Sequence, residues 1–268
     1  MKRVQLFEFE DQKWFSSSMR AGLTRLIIVL HKLLGIGNVL STLIQEALKK
    51  TKSKKIVDLG AGAGGSMPQV MELIRSNADF STVEMKLTDL YPNKKTVDSF
   101  NESSLNGISY HPDSVDATNL ENAPSGLKTM VNSFHHMSPK MARQILSSAH
   151  KNKEAILIYE MAENKIPLIL WWLFLPLSLV VMIIMVLFMT PFVKPLTFHQ
   201  LFFTYIIPTI PICYAWDGQA SMPRIYALND FEELLEGLSD NTYTWEKGAA
   251  LKENGKQLGY YVLGIPKQ

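Results

Sequence analysis

At 268 residues the chain is long enough for one large domain or for a domain carrying an insertion. A formal charge of +2 gives no basis for nucleic-acid binding, and the lone cysteine, Cys213, excludes an intrachain disulfide and gives no zinc-type cluster. Charged residues make up 19% and apolar ones 47%, but they are unevenly distributed along the chain.

Residues 1–18 interleave Phe7, Phe9, Trp14 and Phe15 with acids, and Ser16, Ser17 and Ser18 mark a helix start. Glu8, Glu10 and Asp11 interrupt this stretch before any apolar run, so no secretory signal is expected. From Met19 to Leu48 the apolar spacing is helical, broken at His31, Lys32, Gly35 and Gly37, and two helices or one kinked helix satisfy it. Its most apolar part, Leu26–Leu34, is too short to cross a bilayer and is expected to pack over a downstream ligand site rather than lie on a membrane surface. The basic run Lys49, Lys50, Lys52, Lys54 and Lys55 reads as a solvated loop, which beside a membrane would attract anionic headgroups.

A buried strand follows at Ile56–Leu59, then a turn of alternating glycines at 60, 62 and 64, then a helix from about Pro68 to Ile74. Glycines there keep side chains off the backbone and permit positive φ, so that the loop amides and the helix N-terminus face a polar ligand. Glycines at 60, 62 and 65 also satisfy the dinucleotide spacing, so glycine spacing alone does not choose the ligand. Asp58 tilts the choice, because a carboxylate two residues before the first glycine can receive the ammonium of a methionine moiety, where a dinucleotide site usually has an apolar residue.

Beyond the turn, strands are expected around 82–87, 107–110, 128–132 and 155–159, with a helix at 139–150, the alternation of a parallel sheet with helical crossovers. Asp58, Asp89, Asp116, Asn132 and Glu160 all fall at expected strand ends, where open α/β sheets bind their ligands. An amphipathic helix at 231–238, opened by Asn229 or Asp230, precedes two strands at 242–251 and 258–265 joined by a short polar turn, the pattern of an antiparallel hairpin.

Between Glu160 and Asp217 the texture changes. Ile166 to Val193 carries no charge over about 28 residues, enough to cross hydrocarbon, and after Lys194 a second apolar run extends from Leu196 to Trp216, bent by Pro208 and Pro211. Because the chain must rejoin the same sheet, the insertion is expected to enter and leave on one side as a transmembrane or re-entrant hairpin turning near 190–195. A buried helix pair or an oligomerisation arm is the alternative. Lys151, Lys153, Lys165 and Arg224 flank the insertion while only Lys194 lies at its tip, which places the sheet domain on the cytoplasmic side of a membrane.

The run Asp58-x-Gly60-x-Gly62-x-Gly64 resembles the first motif of class I S-adenosylmethionine-dependent methyltransferases, and the resemblance covers roughly residues 56–160 and 217–265. It implies a Rossmann-like α/β fold, with a seven-stranded, mostly parallel sheet ending in an antiparallel hairpin and interrupted here by the helical insertion. It further implies S-adenosylmethionine as cofactor: Asp58, Gly60, Ala61, Gly62 and Gly64 at the methionine end, Asp89 and Leu90 at the ribose, Asp116 and Ala117 beside the adenine, and Asn132 and Ser133 facing the methyl. His135, His136 and Glu160 are candidates for a catalytic base, with capping or loop packing as the plain alternative for the histidines. Asp217, Arg224 and Tyr226 are candidates for lining an acceptor pocket. Phe7–Phe15 and Thr204–Gly218 are also similar to a group of bacterial membrane methyltransferase-like proteins.

The expected organisation is therefore a helical segment over the cofactor site (1–50), a methyltransferase domain (51–165 and 215–268) and a membrane hairpin (166–214). The expected acceptor is an apolar or lipid-like small molecule. A nicotinamide-dependent oxidoreductase and an inactive membrane scaffold that keeps the fold are the alternatives.

Overall fold

The structure is a computed structural model that describes residues 1, 3–103, 105 and 107–267. In chain order its elements are α1 (Ser17–Leu34), α2 (Ile36–Thr51), β1 (Lys55–Leu59), α3 (Met67–Arg75), β2 (Glu84–Thr88), α4 (Lys94–Glu102), β3 (Ile108–Tyr110) and β4 (Leu127–Val131). There follow α5 (Pro139–Lys151), β5 (Ile156–Glu160), α6 (Leu168–Met189), α7 (Phe198–Leu201), a π-helical turn (Phe202–Ile206), α8 (Thr209–Ser221), α9 (Asp230–Leu234), β6 (Tyr243–Leu251) and β7 (Gln257–Pro266).

These elements form two compact units, residues 35–163 with 227–268, and residues 1–34 with 164–226. The expected N-terminal segment 1–50 is thus divided. Gly35 takes φ 76°, a left-handed conformation that ends one helix and starts the next, so α2 joins the first unit and α1 the second. Residues 215–226, expected in the methyltransferase domain, belong instead to the second unit, as the end of α8 and the 3₁₀ turn Met222–Arg224 beyond it.

In the first unit seven strands run in the order β3-β2-β1-β4-β5-β7-β6. β1 to β5 pair in parallel, and β7 enters antiparallel between β5 and β6. The central strands are apolar nearly throughout, with all five residues of β5 buried, as expected for a sheet covered on both faces. α2 packs on α3, where a Cβ on Gly37 would lie 3.3 Å from Leu73, and buries Ile36, Leu40, Ile44 and Leu48, spaced to keep one helical face inward. The helix expected over 231–238 ends at Leu234. Phe231, Leu234 and Leu238 are buried as their spacing demands, but the backbone leaves the helix before Gly237, which takes φ 69°.

The second unit is helical. α1 spends its apolar face, Met19, Leu23, Leu26 and Val29, on a core shared with Val186 and Met189 of α6 and Ile210 and Tyr214 of α8. Within the stretch 26–34, Leu26 and Val29 are thus packed against the insertion helices. The apolar stretch Leu168–Phe192 is 25 residues long and only 22% of its most apolar window is buried, leaving Ile169, Leu173, Leu177 and Phe188 exposed. The second apolar run is interrupted as its prolines require, stopping at Ile207 and restarting at Thr209.

An extended N-terminal segment is fastened within this unit. Asp217 accepts the backbone N–H groups of Phe9 at 2.7 Å and Glu10 at 3.0 Å, and Trp216 Nε1 donates to the carbonyl of Phe7 at 2.9 Å. The buried Arg224 pairs with Glu8 at 2.7 Å and Asp11 at 2.8 Å, while the Arg3 guanidinium lies over the Tyr226 ring. Asp217, Arg224 and Tyr226 are thus engaged in holding residues 3–11.

Candidate active site

The first unit assembles its polar groups at the carboxyl ends of β1, β2, β4 and β5. β1 carries Asp58 as its penultimate residue, with the carboxylate buried among apolar strands. Its Oδ1 accepts from Thr129 Oγ1 of β4 at 2.7 Å, and its backbone carbonyl accepts from Thr88 Oγ1 of β2 at 2.8 Å. Burial raises the Asp58 carboxyl to about 7, against the lowering effect of the Thr129 hydrogen bond. Such a group gains most from a cation placed beside it.

The turn after Asp58 takes positive φ at Gly60, Gly62, Gly64 and Gly65 (70°, 53°, 86° and 46°). What surrounds these glycines separates their roles. A Cβ on Gly62 or Gly65 would meet nothing within 4 Å, and one on Gly60 would meet only Ser133 Oγ at 4.0 Å, so these positions face open space that a ligand can fill. A Cβ on Gly64 would lie 2.5 Å from Phe100 Cζ. Gly64, expected to hold the cofactor, is thus a packing glycine that lets α4 seat its aromatic ring beneath the turn.

Two side chains fix the turn. Asp89, one residue past β2, accepts the backbone N–H of Gly62 through Oδ2 at 2.9 Å and that of Tyr91 through Oδ1 at 2.8 Å. Tyr110, the last residue of β3, donates its hydroxyl to the carbonyl of Gly62 at 2.9 Å, and burial pushes its phenol above the ordinary range so that it remains a donor. Ala61 bonds through its N–H to the carbonyl of Thr88 at 2.9 Å, and Leu90 accepts from Ser114 Oγ at 2.7 Å. Asp116 lies beyond β3 in an exposed loop, not at the strand end as expected, and its Oδ1 caps a turn by accepting the N–H and hydroxyl of Thr118 at 2.8 and 2.7 Å. Ala117 is half-buried beside it.

At the next strand end, Asn132 adopts φ 50° and accepts the N–H of Met161 at 2.8 Å, tying the ends of β4 and β5 together. Ser133 Oγ is shielded from solvent and has no hydrogen-bond partner among the described residues. A single 3₁₀ turn, Phe134–His136, then brings His135 onto Glu160, the last residue of β5. Glu160 accepts the His135 backbone N–H at 3.0 Å, and its second oxygen lies 2.8 Å from Nδ1. An ionised carboxylate only accepts, which makes Nδ1 the donor in this contact. The His136 ring lies tilted at 34° against that of His135, with ring centroids 4.3 Å apart. The three candidate catalytic residues are therefore one cluster, with His135 and Glu160 as its buried, hydrogen-bonded pair.

Thr129, Tyr110 and Phe100 went unremarked in the sequence. Thr129 and Tyr110 sit inside strands, where their spacing marks them only as strand residues, and the contacts that give all three a role join distant parts of the chain.

No protein-family profile matches the sequence, and no curated protein does. Solved structures do resemble the fold. An O-methyltransferase family protein from Burkholderia thailandensis superposes with a TM-score of 0.51 at 11% identity, covering 93% of this chain and 60% of its own. Human N-acetylserotonin methyltransferase, solved with S-adenosylmethionine, gives 0.49 at 15% identity, covering 96% of this chain and 59% of its own. The methyltransferase domain of bacterial CtHen1 gives 0.47 at 11%, covering 85% of this chain and 97% of its own. The chain spans about three fifths of the Burkholderia protein. The fold, with β7 antiparallel between β5 and β6, is that of class I S-adenosylmethionine-dependent methyltransferases.

Proposed function

We propose that the protein is a membrane-moored methyltransferase that uses S-adenosylmethionine to methylate an apolar small molecule. The observation that carries this reading is the buried Asp58 carboxylate beside a turn whose glycines 60, 62 and 65 face open space. These residues fit the cofactor: Asp58 would receive its ammonium, the backbone at Gly60 and Gly62 would approach it closely, and Asp89 would offer a carboxylate to its ribose.

The cofactor supplies an electrophilic methyl on a sulfonium, so the protein's part is alignment, exclusion of water and proton handling. His135, oriented by Glu160 at 2.8 Å, would take the proton of an acceptor hydroxyl. The shielded Ser133 Oγ, close to Gly60, would give the acceptor a hydrogen bond and so set its angle.

Mooring is supported by the Leu168–Phe192 stretch. At about 1.5 Å per residue, 25 residues reach about 37 Å, against roughly 30 Å of bilayer hydrocarbon. Its exposed residues are apolar on every side that the unit does not cover. Lys151, Lys153, Lys165 and Arg224 flanking the insertion, against Lys194 alone at the tip, favour a cytoplasmic sheet domain.

Equilibrium dialysis of the detergent-solubilised full chain against labelled S-adenosylmethionine and NAD(H) tests the cofactor, and a preference for NAD(H) would end this reading. Incubating membranes with methyl-labelled cofactor and enzyme should place label in the lipid extract. Label in protein would instead overturn the apolar acceptor. Recovery of the whole chain in the soluble fraction without detergent would refute the mooring.

A further inference from the structure

Two polar side chains of the helical unit are fully buried yet have no hydrogen-bond partner among the described residues. Gln200 is unpaired at both Oε1 and Nε2, and Thr204 at Oγ1. Nearly all buried polar side chains are paired, so each exception requires an explanation. These two stand four residues apart, where α7 passes into the π-helical turn Phe202–Ile206. That spacing puts them on one side of the element.

A neighbouring feature points the same way. On α1, Gly22 faces the amide: a Cβ there would lie 3.2 Å from Gln200 Oε1 and 3.0 Å from Ile210 Cδ1. The glycine leaves the Gln200 head room that even a methyl group would take. The hydrophobic cluster of the same unit brings together Leu23, Leu26, Val186, Met189 and Ile210.

We propose that Gln200 and Thr204 bind the uncharged hydrogen-bonding head of an apolar molecule, an alcohol, phenol or ketone on a hydrocarbon body. The chemistry follows from the groups present. An amide and a hydroxyl together donate and accept, and neither carries the charge needed to compensate an ionised head. The apolar core receives the hydrocarbon. This site goes beyond the proposed methyl transfer and does not depend on it, because it lies in the helical unit and is read without the cofactor.

The test uses the full chain in detergent with tritiated farnesol as probe and farnesene, the same hydrocarbon without the hydroxyl, as control. Farnesol should be retained and farnesene should not. The double variant Gln200→Leu/Thr204→Val should bind farnesol at least tenfold more weakly while unfolding cooperatively at no lower temperature, because the substitutions remove unpaired buried polar groups. Equal retention of farnesol and farnesene, no farnesol binding, or unchanged binding by the double variant would overturn the site, leaving Gln200 and Thr204 at most an internal water. Should the double variant fail to fold, Gly22→Ala, which keeps both side chains and crowds the amide, provides the same reading: a tenfold loss supports the site and unchanged binding overturns it. Cofactor binding by the same preparations reports separately on the methyltransferase reading.

Discussion

Asp89 Oδ2 accepts the backbone N–H of Gly62 at 2.9 Å, so a carboxylate from the end of β2 holds the bend of a turn that begins on β1. Replacing Asp89 with Ala removes both the tether and the group proposed for the ribose. Calorimetric titration with S-adenosylmethionine should show at least a tenfold rise in Kd, about 1.4 kcal/mol. Asp89→Asn, which keeps one acceptor oxygen, should fall between.

Asp58 should make the stability of the cofactor-free protein depend on pH. Its carboxyl is raised to about 7 in the fold, against an ordinary value of 3.8. A raised acid holds its proton longer folded than unfolded. Its stabilising contribution is therefore full below pH 4 and is lost as pH climbs toward 7, by at most about 4 kcal/mol. Denaturant titrations from pH 4 to 8 should show the wild-type protein losing stability relative to Asp58→Asn across that window. Cofactor binding should strengthen over the same rise, since only the ionised carboxylate attracts an ammonium.

Gly62 and Gly64, both at positive φ, should respond to alanine differently. Gly64→Ala drives a methyl into Phe100, 2.5 Å away, and should lower the melting temperature by several degrees, with partial recovery in Gly64→Ala/Phe100→Ala. Gly62→Ala meets no atom within 4 Å and carries only the cost of a left-handed residue, about 1–2 kcal/mol. Its main effect should be a loss of cofactor affinity.

The legibility of this chain follows the range of its interactions. The glycine turn, the strands and the hairpin are written locally, in apolar runs bounded by turn residues, and they lie within a few residues of where the sequence places them. α4 escaped notice because Val97 is its only buried residue, leaving no apolar period to read. Its one local mark was Asn93, whose side chain accepts from Thr96 N–H. The partners of Asp58 and Gly62 are invisible for a different reason. Thr129 lies 71 positions from Asp58, and Tyr110 lies 48 from Gly62. The stretches 7–15 and 204–218 touch each other, through Asp217 on Phe9 and Glu10 and Trp216 on Phe7. Arg224, paired with Glu8 and Asp11, accounts for two of the acids in an otherwise aromatic opening.

His135 and Glu160 should separate chemistry from cofactor binding. His135→Ala and Glu160→Gln should each lower methyl transfer by about 10²-fold or more, the usual contribution of a positioned base, while the Kd for S-adenosylmethionine stays within about twofold. If both variants lost cofactor affinity in proportion to rate, the pair would be bracing the strand ends instead.

Because the helical unit draws on residues 1–34 and 164–226, its halves leave the ribosome far apart in time. At ~5–20 residues per second, the roughly 130 residues between them take about 7–26 s to emerge. During that interval Leu23 and Leu26 of α1 have no α6 or α8 to cover them. Ribosome-bound intermediates arrested before residue 164 should therefore be the aggregation-prone ones.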